Sequence, residues 1–151
     1  MAEKVAVVIG SQNDMVYLDG LKEIFDKFGI TYEIFTLSAH RSLDKTIEFA
    51  ENAETNGFEV IIACAGMSAH LPGVIAAKTI LPVIGVPLPT SEIKGVDALL
   101  SIAQMPSGVP VATMSIGKTG VKNSAILAIS ILARKNPQLH KKLKEFKESL
   151  K

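Results

Sequence analysis

Two histidines and one arginine follow short apolar runs of this 151-residue chain, and their side chains suit acid–base chemistry and anion binding. His40 and Arg41 come directly after residues 31–37, and His70 follows residues 59–65 after a short loop. An imidazole exchanges protons near neutral pH, whereas a guanidinium is a permanent, forked cation that matches a phosphate. The adjacent pair therefore predicts a loop that both binds an anion and transfers protons.

Another loop, residues 10–14, carries Ser11 and Asp14 behind Gly10 at the start of a helical pattern. Exposed backbone N–H groups and the helix dipole at such a position favour an anion such as phosphate. In this interpretation the Ser11 hydroxyl adds a donor. In the alternative interpretation, Ser11 or Asn13 only caps the helix, and Asp14 complements the helix dipole.

The two histidine loops also have purely structural interpretations. Ser38 or Ser42 could cap the next helix. His40 could lie half-buried at a strand end, and Arg41 could pair with a surface carboxylate. The ring of His70 could form a local hydrogen bond that holds its own loop in shape. These structural roles stand beside the functional ones.

The elements that must position these loops alternate along the chain. The predicted strands are 5–9, 31–37, 59–65, 82–86 and 109–116. The predicted helices are one from Asn13 to the stop at Gly29, and then 43–56, 71–78, 95–102 and 121–134. This alternation predicts a three-layer α/β/α sandwich around a mainly parallel, five-stranded, flavodoxin-like doubly wound sheet. Ligands of such sheets bind beyond the carboxyl ends of the strands, which is where the three loops lie.

Three stretches carry further expectations about the fold. Pro87 and Pro89 are expected to forbid regular continuation of the fourth strand. Helix 121–134 is apolar around most of its circumference, which predicts burial against another subunit. The tail, residues 135–151, is expected to be a solvated helix or a frayed end beside a core of residues 4–134, within a single catalytic domain.

The composition bounds the class of protein. Apolar residues make up 48% of the chain and the formal net charge is +1, so no global charge favours nucleic acid or an anionic membrane. The single cysteine, Cys64, lies in an apolar run, which predicts a buried thiol and favours a reducing compartment. No apolar run approaches the ~20 residues that span a bilayer. We therefore expect a soluble cytoplasmic protein.

Sharper motifs are incomplete. Residues 66–70 resemble a nucleophile elbow, but a histidine stands where the elbow requires glycine. Residues 117–119 match the last three residues of the P-loop motif, yet Ala112 occupies the position of the motif's first glycine. Neither a dinucleotide-binding glycine pattern nor a zinc-ligand spacing occurs. The residues predict a small phosphorylated ligand, acid–base chemistry at His40, and no metal or organic cofactor.

Several stretches together resemble the N5-carboxyaminoimidazole ribonucleotide mutase family of purine biosynthesis (PurE type, class I), also called the catalytic subunit of phosphoribosylaminoimidazole carboxylase. The stretches are Gly10-Ser11 with Asp14, Ser38-Ala39-His40-Arg41, Ala69-His70-Leu71-Pro72-Gly73, Leu81-Pro82-Val83-Ile84-Gly85-Val86-Pro87, and residues 104–113. The resemblance covers roughly residues 5–134.

The resemblance implies a role for each loop. His40 would be the general acid–base. The groups implied to hold the substrate are Ser11, Asp14 and Arg41 at its ribose phosphate, and His70 beside its carboxylate. Backbone N–H groups around Ser38 and Gly66 would be natural donors to the migrating carboxylate, as an oxyanion site requires. The implied reaction moves a carboxyl group from the exocyclic nitrogen to the ring carbon of an aminoimidazole ribonucleotide, without ATP, metal or organic cofactor. The implied assembly is a homo-octamer, which a mean hydropathy of +0.31 fits.

Two other functions stay open at this point. A sister branch of the family adds free carbon dioxide to the unmodified ribonucleotide, but it typically carries lysine where this chain has Arg41. A phosphate- or nucleotide-binding module without catalysis would use the same fold. Departures from the family pattern concern the pocket: Asn13 replaces serine, Met67-Ser68 replaces glycine-alanine, and Ser42-Leu43 replaces threonine-proline.

Overall fold

A computed structural model describes residues 3–151 and contains one five-stranded sheet with helices on both faces. The strands are β1 (Lys4–Ile9), β2 (Thr31–Thr36), β3 (Val60–Gly66), β4 (Val83–Leu88) and β5 (Ala112–Thr113). The helices are α1 (Asp19–Phe28), α2 (Leu43–Asn52), α3 (Leu71–Ala76), α4 (Val96–Ala103), α5 (Lys118–Leu132) and α6 (Pro137–Glu148). The strand order is β2-β1-β3-β4-β5 and every neighbouring pair is parallel. The predicted doubly wound α/β fold is confirmed.

The two faces of β1 pack into two different cores. Val5, Val7 and Ile9 belong to the core formed with α1, α5 and α6. Ala6 and Val8 belong to the core formed with α2, α3 and α4. All five side chains are fully buried, which explains why this strand is an uninterrupted apolar run.

The fourth strand continues through Pro87, so the expectation that this proline forbids continuation is wrong. β4 runs to Leu88, and Pro87 pairs with Ala65 of β3. The Pro87 carbonyl accepts a hydrogen bond from the Gly117 N–H at 2.8 Å, so this residue's backbone faces away from β3. Pairing between β4 and β5 has already ended at Gly85. Proline is tolerated because the ladder requires no N–H donor at that point.

Two other boundaries differ from the prediction. The helix expected from Asn13 is divided into a 3₁₀ helix, Gln12–Tyr17, and α1, which ends at Gly29 as predicted. β5 comprises two residues rather than 109–116. Pro110 lacks an N–H donor and lies just before this strand at the sheet edge, which limits its pairing.

The carboxy-terminal tail is a helix rather than a frayed end. α6 begins at Pro137, and the side-chain oxygen of Asn136 accepts a hydrogen bond from the Leu139 N–H at 3.0 Å. Leu139 is buried in the core. The rings of Phe146 and Phe28 meet edge to face with centroids 5.6 Å apart. The tail therefore packs against α1 instead of lying free in solvent.

α5 has its buried face inside this chain, where Val121, Ala125 and Ile129 join the core. Ile126 and Ile131 are only partly buried. Burial of this helix against another subunit stays a prediction. Within residues 3–151, none of the helices has the length and apolar character needed to cross a membrane.

Candidate active site

A cleft of about 660 Å³ lies at the carboxyl ends of the strands. β1 has β2 on one side and β3 on the other, so the order in which strands are added to the sheet reverses at β1. Doubly wound sheets bind ligands at such a point. The cleft is lined by Gly10, Ser11, Asn13, Asp14, Ser38, Ala39, His40, Arg41, Ala65, Gly66, Met67, Ser68, Ala69, His70, Leu71 and Thr90. All seven side chains or backbone positions predicted as site residues lie in this lining.

The two histidines are in direct contact. His40 Nε2 and His70 Nδ1 lie 2.6 Å apart, and the rings are nearly perpendicular, with an interplanar angle of 80°. Both side chains are exposed, so the half-buried position considered for His40 is wrong. The hydrogen bond of His70 joins two loops, so the local bond considered for this ring is wrong as well.

The two facing ring nitrogens form a hydrogen bond. One of the two facing nitrogens donates and the other accepts. In a neutral pair, either His40 Nδ1 or His70 Nε2 is then left as a free base, depending on which facing nitrogen carries the hydrogen. The pair can therefore take up a proton at one ring and release one at the other.

The loop between β2 and α2 is held by its own hydroxyl groups. The Ser38 N–H donates to Ser42 Oγ at 2.9 Å, and the Ser42 hydroxyl donates to the Ser38 carbonyl at 3.2 Å. The Ser38 N–H is therefore occupied within the protein, and its expected role as a donor to a migrating carboxylate stays a prediction. Ser42 does not cap α2 with its side chain. Ser38 Oγ accepts from the Arg41 N–H at 3.1 Å, which leaves the Ser38 hydroxyl hydrogen for a ligand.

Arg41 presents a positive charge to the cleft. Its side chain is exposed, and no ion pair joins its guanidinium to any carboxylate in the described part of the chain. The surface ion pair considered for this residue is therefore not formed there. A free guanidinium at the edge of a cleft is suited to a phosphate.

The first loop combines a cap with a buried acid. Ser11 Oγ accepts from the Asn13 N–H at 3.3 Å, which confirms the capping interpretation, although the same hydroxyl also lines the cleft. Asp14 is only 7% exposed. Burial raises the pKa of the Asp14 carboxyl, and a hydrogen bond with the Ser11 backbone opposes this rise. A carboxylate in this position accepts hydrogen bonds from hydroxyl groups and repels phosphate oxygens.

At the point where the third loop leaves the sheet, a side chain would collide with Thr90 in the position that Thr90 adopts. A Cβ atom on Gly66 would lie 1.8 Å from Thr90 Oγ1. The next residue, Met67, has a φ angle of 55°, in the left-handed region that disfavours side chains. Met67 is 60% exposed and lines the cleft. The position where the resemblance expects glycine is thus one where the backbone itself favours glycine.

Thr90 is the cleft residue that sequence reasoning missed. It follows β4, whereas the loops considered followed the first three strands. The same rule, applied to the carboxyl end of the fourth strand, would have included it. Cys64 lies below the cleft as a fully buried thiol, as predicted, and burial raises its pKa to about 12. Within residues 3–151, no three His, Cys, Asp or Glu side chains are grouped so as to hold a metal ion.

The fold and the cleft define a class of protein: a doubly wound α/β protein whose site at the strand ends combines proton-exchanging and anion-binding groups. The model of the AIR carboxylase family matches residues 4–151. The chain belongs to this family.

Relatives of this chain carry more specific names. It is 54% identical over 147 residues to the N5-carboxyaminoimidazole ribonucleotide mutase of Pseudomonas aeruginosa, covering 97% of this chain and 90% of the relative. The protein of the same name from Thermotoga maritima is 52% identical, with 98% and 85% covered. The crystal structure of Treponema denticola PurE superposes with a TM-score of 0.87 at 27% identity, covering 97% and 90% of the two chains.

Proposed function

We propose that this protein is an N5-carboxyaminoimidazole ribonucleotide mutase of purine biosynthesis. It moves the carboxyl group from the exocyclic nitrogen to carbon 4 of the imidazole, giving 4-carboxy-5-aminoimidazole ribonucleotide, and it needs no ATP. The observation that carries this proposal is the hydrogen-bonded pair His40 and His70 beside Arg41, which forms no ion pair with any residue from 3 to 151. Identities of about half the residues to named mutases support the same conclusion.

The substrate's ribose phosphate is held by the first two loops. Arg41 and the Ser11 hydroxyl bind the phosphate, because one is an unpaired cation and the other a hydrogen-bond donor at a helix start. Asp14 accepts hydrogen bonds from the ribose hydroxyl groups, since a buried carboxylate would repel the phosphate. The Ser38 hydroxyl, rather than the Ser38 N–H, faces the imidazole ring of the substrate.

The carboxyl transfer needs one proton in and one proton out. As the nitrogen–carbon bond of the carbamate breaks, His40 protonates the exocyclic nitrogen and carbon dioxide is formed. The ring carbon then attacks carbon dioxide, a carbon–carbon bond forms, and the proton on that carbon passes to His40. The hydrogen bond to His70 orients His40 and supports its two protonation states. The histidine pair therefore ends the reaction with the same number of protons with which it began.

Carbon dioxide must recombine before it escapes. A reaction partner held within a pocket reacts far faster than one free in solution. Residues 66–70 border the cleft beside the histidine pair, and the backbone of Gly66 lies past the last residues of β1 and β3 that pair with each other, Ile9 and Cys64. This backbone N–H and the ring of His70 hold the carboxylate.

The proposal includes assembly as a homo-octamer and a cytoplasmic location. Three exposed apolar side chains, Ile93, Val96 and Leu100, lie on and just before α4, with exposures of 58%, 50% and 54%. Contact between subunits would remove this surface from water. Light scattering on the eluting peak of a sizing column measures the mass, and a monomer mass would contradict the octamer.

The deciding experiment supplies the purified protein with N5-carboxyaminoimidazole ribonucleotide, without ATP or metal, and compares the unmodified ribonucleotide with carbon dioxide. We expect rapid conversion of the first substrate. His40→Asn should lower kcat by about 10²- to 10⁴-fold, because the proton carrier is lost. His140→Asn is the matched control, since His140 lies on α6 outside the cleft.

Each other result leads to a different conclusion about the function or about His40. Preference for free carbon dioxide would place the protein in the sister branch of the family. Absence of turnover with either substrate would favour the binding module. Equal losses in His40→Asn and His140→Asn would exclude His40 as the proton carrier.

A further inference from the structure

Thr90 reaches the cleft through a tight turn after β4. Its N–H donates to the Leu88 carbonyl at 3.0 Å, so the chain turns back at Pro89. Leu88 is the register partner of Gly66 in the neighbouring strand β3. The turn therefore brings the Thr90 side chain over the end of β3 instead of carrying it away from the sheet.

The Thr90 side chain rests directly on Gly66. A Cβ atom added to Gly66 would lie 1.8 Å from Thr90 Oγ1, 3.0 Å from Thr90 Cβ and 3.3 Å from Thr90 Cγ2. The hydroxyl oxygen is thus the part of Thr90 nearest to that position. This contact places the hydroxyl beside the backbone proposed above to hold the carboxylate.

The Thr90 hydroxyl has no hydrogen-bond partner among the described residues. It takes part in no side-chain hydrogen bond between residues 3 and 151, and Thr90 is exposed in the cleft. Ser11 and Ser38, in contrast, use their oxygens to accept backbone N–H groups. A free hydroxyl in a cleft can donate its hydrogen to a ligand at no cost to the fold.

One donor predicted for the carboxyl pocket is already used within the protein. The Ser38 N–H donates to Ser42 Oγ at 2.9 Å, so a carboxylate would have to displace that bond. A carboxylate accepts several hydrogen bonds, and a hydroxyl donor fixed in place stabilises its charge without being able to protonate it at neutral pH. Thr90 supplies such a donor on the Gly66 side of the cleft.

We infer that the Thr90 hydroxyl donates a hydrogen bond to the substrate's carboxyl group and holds it during transfer from nitrogen to carbon. This inference rests on the proposed function. It makes Thr90 a substrate-binding residue contributed by the loop after β4. A Cβ at Gly66 would displace the hydroxyl from this position.

The test compares two variants of nearly equal shape. Thr90→Val keeps the volume and removes the hydroxyl, whereas Thr90→Ser keeps the hydroxyl and removes the methyl group. Thr55→Val is the matched control, because Thr55 is exposed after α2 and outside the cleft. Steady-state kinetics give kcat/KM for the mutase reaction, and a second assay measures how much unmodified ribonucleotide is released per carboxylated product.

We expect Thr90→Val to lower kcat/KM by about 10- to 100-fold, the loss of a hydrogen bond to a charged group, and to release more unmodified ribonucleotide. Thr90→Ser should stay within about threefold of the unmodified protein, because its donor is retained. Melting temperatures near that of the parent protein would show that the fold is intact. If Thr90→Val disturbs the loop, Thr90→Ala removes the hydroxyl without adding a methyl group and carries the same expectation.

Two outcomes overturn the inference alone. Turnover by Thr90→Val at the parental rate would mean that the hydroxyl does not touch the carboxyl group. A loss in Thr90→Ser as large as that in Thr90→Val would mean that the methyl group only packs against Gly66. Absence of turnover by the unmodified protein would overturn the proposed function together with this inference, so the two failures are distinguishable.

Discussion

The cleft and a second concavity, the groove between α1 and α6, differ in what their polar groups do. The groove has a volume of about 270 Å³ and is lined by Lys27, Phe28, Lys142, Glu145, Phe146 and Ser149. Lys27 Nζ lies 5.0 Å from the centroid of the Phe146 ring, and Lys142 Nζ donates to the Phe28 carbonyl at 3.5 Å. Both cations of the groove are therefore already engaged by the protein.

The cleft is built in the opposite way. Arg41 has no carboxylate partner in the described residues, the Thr90 hydroxyl is free, and the histidine pair keeps an outer nitrogen available. These groups come from loops after three different strands, whereas the groove is formed by side chains of two helices. Concavity alone does not distinguish the two regions. What distinguishes them is the convergence of polar groups that the fold leaves without a partner.

The largest difference is expected when one cation is removed from each region. Arg41→Ala should lower kcat/KM by about 10- to 100-fold, mainly through KM, because a charged contact to phosphate is lost. Lys142→Ala, in the groove, should leave both constants unchanged. Steady-state kinetics on the two variants check this, and equal kinetics in both would remove Arg41 from the binding site.

A smaller effect is expected for a groove variant, and it concerns stability rather than activity. Phe146→Ala should lower the free energy of unfolding by about 1–2 kcal/mol, since a half-buried ring loses its edge-to-face contact with Phe28. The variant should retain the kcat/KM of the parent protein. Urea denaturation followed by circular dichroism gives the stability. A comparable fall in kcat/KM would show that the groove and the cleft are coupled, which would break the comparison.

The smallest effect is expected within the cleft itself. Met67→Gly should raise the free energy of unfolding by up to about 1 kcal/mol, because glycine adopts the positive φ angle without the strain that Met67 bears. The greater freedom of glycine in the unfolded chain offsets part of this gain. Urea denaturation of the two proteins measures the change. A clear loss of stability would mean that contacts of the Met67 side chain stabilise the fold by more than the strain at its positive φ angle destabilises it.

Sequence reasoning located most of the cleft because parallel strands all end at the same edge of a sheet. Ser11, Asp14, His40, Arg41 and His70 could be placed there from their positions after apolar runs alone. Their electrostatic types followed directly from residue identity. This part of the prediction needed no distances.

The errors have a common origin in contacts that depend on the path of the backbone. Ser42 is four residues from Ser38, and only the turn between them brings its oxygen to the Ser38 N–H. Pro87 continues β4 because pairing with β5 has ended at Gly85, a matter of strand length rather than of local preference. Neither fact is visible in a pattern of residue types.

The sequence by itself determined the layered fold, the edge of the sheet that carries the site, and the kinds of group found there, because hydrophobic periodicity and residue chemistry are local properties. Only the tertiary structure decided which groups meet. The 2.6 Å bond between His40 and His70, and the contact of Thr90 with Gly66, join residues that are distant along the chain. Such distances are set by the order of the strands and the turns that follow them, which packing of the whole domain establishes.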